Sequence, residues 1–106
     1  MKTINISRDF SKFPGGRYKS IGKGSGEEFR ERFLIPALER GEPLVIDMDG
    51  TEGYPPSFLE EAFGGLVRLG FSENKIWKTI RLKTSPRYHI YKSMAEQYVH
   101  KEAERK

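Results

Sequence analysis

Pro43-Leu-Val-Ile-Asp-Met48, then Asp49-Gly-Thr-Glu-Gly-Tyr-Pro-Pro-Ser57, then Phe58-Leu-Glu-Glu-Ala-Phe-Gly-Gly-Leu-Val67 is the stretch on which the fold turns. The first run is almost wholly apolar, the mark of a central strand covered on both faces. The second is a turn-rich loop, with Asp49-Gly50 ending the strand and Pro55-Pro56 forcing an extended approach to the third run. That third run repeats Phe58, Leu59, Ala62, Phe63, Leu66 and Val67 at helical spacing. Ser57-Phe-Leu-Glu60 reads as a capping box with Ser57 at the N-cap. Gly64-Gly65 inside that helix costs about 1 kcal/mol per glycine, which predicts a close approach to neighbouring backbone.

Working outward, Ser25-Gly-Glu-Glu28 is a second capping box. It opens a helix whose apolar stripe is Phe29, Phe33, Leu34, Ala37 and Leu38, interrupted at Pro36 and ended by Gly41. Thr3 to Ser7 alternates like a half-buried strand, and Phe13-Pro-Gly-Gly16 predicts a turn into a second short strand over 17–21. Lys75 to Lys83 alternates again, with Ile76, Ile80 and Leu82 inward and Trp77, Thr79 and Arg81 outward. Ser85-Pro86 opens a last helix with Ile90, Tyr91, Met94, Ala95, Tyr98 and Val99 on its buried stripe. Residues 101–106 are a charged end expected to fray.

The expected architecture is one α/β domain over 1–106: a mixed, largely parallel sheet of about four strands with about three helices. Loops beyond the carboxyl ends of parallel strands are where ligands and partners meet such sheets. The segment from Asp49 to Ser57 is one of these and is the leading candidate site.

The chain has no cysteine, which excludes disulfide and thiolate chemistry. It lacks a signal-peptide pattern and a membrane-length apolar run, so the expected placement is cytoplasmic. A formal charge of +4 invites a nucleic-acid reading through Lys23, Lys78, Arg81, Lys83 and Arg87, with Trp77 and Tyr88 offering rings for stacking. The glycine-rich stretch from Gly15 to Gly24 has neither the spacing nor the hydroxyl of a phosphate loop. An anion site at the amides of residues 25–28 is the remaining nucleotide or anion alternative. Asp47, Asp49 and Glu52 could serve as magnesium ligands or an acid–base pair, but a capped strand end explains them better. His89 and His100 are not at metal-ligand spacing, and no nucleophile elbow surrounds Ser57. No catalytic residue, metal or cofactor is expected.

From Ser25 onward the residues carry a likeness. Ser25-Gly-Glu-Glu-Phe-Arg30, Val45-Ile-Asp-Met-Asp-Gly50 and Tyr54-Pro-Pro-Ser-Phe-Leu-Glu-Glu-Ala-Phe-Gly-Gly-Leu66 resemble the bacterial STAS-like family of unknown function. That resemblance implies distant kinship with the STAS domains of anti-sigma-factor antagonists. In those, a serine at a helix start is phosphorylated by a partner kinase. Ser57 stands at about that place, with Tyr54-Pro-Pro-Ser-Phe58 where those domains carry Asp-Ser-Ser-Gly. The implied role is a non-enzymatic regulatory domain docking a protein, such as a kinase-like ATPase, through residues 49–57 and the helix after them. Asp49, Tyr54, Ser57 and Phe58 are its candidate contacts.

Overall fold

The computed structural model describes residues 2–105. Strand β1 is Lys2–Asn5, β2 is Leu44–Asp47 and β3 is Ile80–Lys83. They form a three-stranded sheet in the order β1-β2-β3, and both pairings are parallel. Among the described residues there are five α-helical stretches. Helix α1 is Ile6–Asp9, α2 spans 26–40, α3 spans 56–68, α4 is Glu73–Thr79, and α5 is His89–Glu104 after a 3-10 turn at Pro86–Tyr88.

This corrects the expected mixed sheet of about four strands. Residues 17–21 do not pair as a hairpin strand; their segment packs along the start of α2. There Gly26 N–H donates to Gly16 O and Glu27 N–H to Arg17 O. The strand expected over Thr3 to Ser7 ends at Asn5, because Asn5 caps α1: its side chain accepts from Arg8 N–H, and its own N–H donates to Asp9. The alternation over 75–83 is half helix. Ser72 caps α4 by accepting from Lys75 N–H, and α4 passes into β3 at Ile80 without a loop. Ile76 and Ile80 fit either period, so the pattern alone did not discriminate. Thr79 is consequently buried, not outward.

The central strand is covered on one face, not two. Ile4, Leu44, Ile46, Ile80 and Leu82 are buried on that face, while Thr3, Val45, Arg81, Asn5, Asp47 and Lys83 share the other and are exposed or half-buried. Two right-handed crossovers that step the same way along a sheet put their helices on the same side.

That side holds an aromatic core of Phe29, Phe58 and Phe63, with Phe10 edge-on to Phe29. In the last helix Ala95 and Val99 are buried, but Ile90 is exposed and does not belong to the stripe. The end expected to fray is helical as far as Glu104. Glu102 is buried there and accepts from Arg68 and Arg105. Lys106 lies outside the described residues.

Helices α2 and α3 lock together through a side chain that bonds backbone, at a close approach between the two. Each contains a π-helical turn, Arg30–Leu34 and Glu60–Gly64. In α2 the turn precedes Pro36, which cannot donate. In α3, Gly65 N–H reaches back five residues to Glu60 O, so the Glu61 carbonyl loses its usual donor four residues on. The buried guanidinium of Arg30 takes that donor's place, bonding both the Glu61 carbonyl and, at 2.9 Å, its carboxylate. Its Nε–H remains buried without an acceptor among the described residues.

The glycines make the room. A Cβ on Gly65 would lie 2.1 Å from the Arg30 guanidinium, and one on Gly26 would lie 2.6 Å from Phe58 O. The close approach expected at Gly64-Gly65 is therefore to a buried side chain at Gly65. Around this pair Glu60 and Glu61 also receive Arg17 and Arg68, and Arg68 reaches Glu102 of α5 at 3.1 Å. Burial pushes the Glu60 carboxyl up, but hydrogen bonds from Arg68 and Arg17 outweigh it and hold its pKa below the ordinary value.

Gly65→Ala forces the Arg30 guanidinium off its partners. Overpacking and a disrupted buried charge pair together predict a loss of about 3 kcal/mol, measured as a shifted urea midpoint at unchanged slope.

Candidate functional site

The loop after β2 is held by its own polar residues. Asp47, the last residue of β2, accepts from Asp49 N–H at 3.0 Å and so turns the chain. Asp49 carboxylate accepts from Ser85 N–H at 2.9 Å, tying this loop to the one after β3. From the other side, the Asn5 amide donates to Asp49 O at 3.0 Å. One residue at each of the three strand ends thus meets at Asp49. Farther on, Glu52 N–H donates to Lys12 O, Tyr88 hydroxyl donates to Thr51 O, and Tyr54 hydroxyl donates to Met48 O at 2.7 Å. The Tyr88 and Ser85 contributions come from elements far along the chain, so spacing within the loop could not disclose them.

The candidate contacts separate into two kinds. Tyr54 is 4% exposed and Phe58 is fully buried, so their side chains are core, not surface. Tyr54 packs edge-on against Tyr91 and Phe58 lies against Phe29. Asp49 and Ser57 are half-buried, while Gly50, Glu52, Pro55 and Pro56 are exposed. Ser57 is not the N-cap. Pro55 takes that position, Pro56 is the first helical residue, and no side chain among the described residues caps α3. A proline suits a first turn because its missing N–H would have been unpaired there. The serine hydroxyl is therefore not committed to the helix end.

Both aspartates are used as acceptors of backbone N–H, in keeping with a strand terminus. Among the described residues no group of three or more His, Asp or Glu side chains is arranged to hold a metal ion. The amides at the start of α2 are also taken: Gly26 and Glu27 by the preceding loop, Glu28 by Ser25 at 3.1 Å. Those three donors are therefore not free for the anion of the alternative reading. The capping box at Ser25 is otherwise as anticipated, except that Glu28 accepts from Gly24 N–H.

The basic candidates converge only in part. Lys23 is exposed on the loop before α2, and Arg87 is exposed on the 3-10 turn. Arg81 and Lys83 share the uncovered sheet face, where Lys83 is registered beside Asp47, and exposed Lys78 at the end of α4 lines a small cleft with Arg81. Trp77, expected outward on a strand, is half-buried on α4 and stacks on Phe63 with centroids 6.5 Å apart. It borders two small clefts together with Arg81, one of them also lined by Lys78, but lies on α4 and not in register on the sheet face that carries Arg81 and Lys83. No helix is long and apolar enough to cross a membrane among the described residues.

Two substitutions separate these roles. Ser57→Ala should change stability by less than about 0.5 kcal/mol, against the roughly 1 kcal/mol that loss of a true N-cap costs; thermal unfolding measures it. Tyr54→Phe leaves a buried carbonyl unpaired and should cost about 1–2 kcal/mol. Burial also pushes the Tyr54 hydroxyl well above its ordinary pKa, with a smaller opposing hydrogen bond at Thr51. A pKa raised by folding stabilises below the unfolded value and is lost above it. Wild-type stability should therefore fall from about pH 10 upward, and Tyr54→Phe should remove that part of the decline.

Comparison with known proteins bears on residues 25–85, which match the family model described as a STAS-like domain of unknown function. The match opens at the cap of α2 and closes at the residue that Asp49 binds, so it contains α2, β2, the loop, α3 and β3. Neither a curated protein nor a solved structure matches the chain significantly. With more than half its length inside that match, the chain belongs to the family of STAS-like domains of unknown function.

Proposed function

We propose that this chain is a non-enzymatic regulatory domain that docks a protein through the outer edge of residues 49–57 and the start of α3. The observation that carries this is a rigid loop with a free rim. Asp47, Asp49, Asn5, Tyr54 and Tyr88 hold the backbone, while Glu52, Pro55 and Pro56 stand exposed and the Ser57 hydroxyl is spared from capping. A preorganised loop binds without the entropic cost of ordering itself. The direct contacts are then Asp49, Glu52, Pro56 and Ser57, with Tyr54 and Phe58 supporting them from beneath. Kinship with STAS domains makes a kinase-like ATPase the first partner to try, and Ser57 the first position to inspect for phosphate.

A photo-crosslinking residue placed at Glu52 or Pro56 should join one and the same protein in cells. The same residue at exposed Glu39, on α2, should not join it. Absence of a shared adduct from the two loop positions would overturn the reading.

A further inference from the structure

A second surface lies away from that loop, in the groove between α4 and α5. The groove has a volume of about 570 Å³ and is lined by Trp77 and Glu73 from α4 and by Glu96, His100, Lys101 and Glu104 from α5. Its charge runs against that of the molecule. The chain carries +4 overall, yet here three carboxylates face one lysine, while Arg81 and Lys92 line an adjoining cleft that shares Trp77 and Glu96. Glu73 and Glu104 are drawn to the two nitrogens of His100, at 3.1 and 3.7 Å. Glu96 is exposed and makes no ion pair among the described residues.

The aromatic wall gives the groove a chemistry that carboxylates alone lack. Trp77 is held in place by stacking on Phe63 at an interplanar angle of 25°, and its half-exposed indole borders the groove. An indole attracts cations through its ring quadrupole, and carboxylates around it add Coulombic attraction and hydrogen-bond acceptors. A guanidinium satisfies both, since its plane stacks on the ring and its edge donates to carboxylates. An ammonium offers a point charge without the stacking plane. A quaternary ammonium has no N–H to give and is usually bound by several rings, whereas this groove has one. Arg68 of α3, which reaches α5, is already committed to Glu60 and Glu102.

We propose that the α4–α5 groove is a docking site for a basic segment of a partner protein, with an arginine side chain seated on Trp77 among Glu73, Glu96 and Glu104. The site is independent of the loop at 49–57, so a two-surface adaptor results if both are used.

Trp77 is the only tryptophan of the chain, so its emission reports on the groove directly. The full chain is titrated with a peptide carrying three arginines between glycines, and with the same peptide carrying citrulline in their place. The arginine peptide should shift the emission saturably, less so as salt is raised, and the citrulline peptide should not. Glu96→Gln should weaken the arginine peptide about two- to fivefold while leaving the melting temperature unchanged. No saturable shift, an equal shift with citrulline, or undiminished affinity in Glu96→Gln would each overturn the proposal. A shift that tracks protein concentration without peptide would also overturn it, by assigning the groove to a second copy of the chain.

Discussion

The contact between Arg30 and Glu61 is the constraint on which the remaining packing depends. It joins α2 to α3 through a side chain that replaces a missing backbone donor, and it does so in the buried interior. Burying a guanidinium is favourable only where its donors meet acceptors and its charge meets an opposite one. The π turn in α3 supplies the free carbonyl, Glu61 the carboxylate, and Gly65 the space. Remove any of the three and the others become liabilities. Arg17 and Arg68 then extend the cluster to the N-terminal loop and to α5, so elements distant in sequence share one set of charges.

With α2 and α3 locked, the strands they connect have little freedom. Both crossovers step the same way, which gathers the helices on one face and leaves Thr3, Val45, Arg81 and Lys83 on the other. The three carboxyl ends come together at Asp49, where Asn5 and Ser85 bind it. The loop is thus stiff because of the sheet order, and a stiff loop with an exposed rim is suited to recognition. The family match covers most of this arrangement and leaves β1 and α5 outside it. Asn5 and Tyr88, which brace the loop, also lie outside.

Much of the scaffold was legible from local pattern. Ser25, Gly41 and the run from Leu44 to Met48 mark a cap, a stop and a central strand that the structure retains. The parallel tendency came from alternating strands and helices. The misreadings share a cause. Residues 17–21 and 75–79 have patterns compatible with a strand, and only partners elsewhere decide against it: the start of α2 for the first, the Ser72 cap and the core around Ile76 for the second. Ser57 shows the same ambiguity on a smaller scale, since a proline at the first helical position displaced the cap by two residues.

The candidate site divides along the same line. The sequence by itself determined that a turn-rich loop comes after a central strand, that aspartates end that strand and that the segment is of STAS-like type. Those properties reside in hydrogen-bonding groups and glycines close together in the chain. Which residues of the loop reach solvent was decided only by tertiary structure. Tyr54 and Phe58 turn inward because Met48 O, Tyr91 and Phe29 are there to receive them, and Trp77 leaves the sheet because its segment forms α4 and packs on Phe63. Burial is a property of the whole assembly of elements, and no single segment carries it.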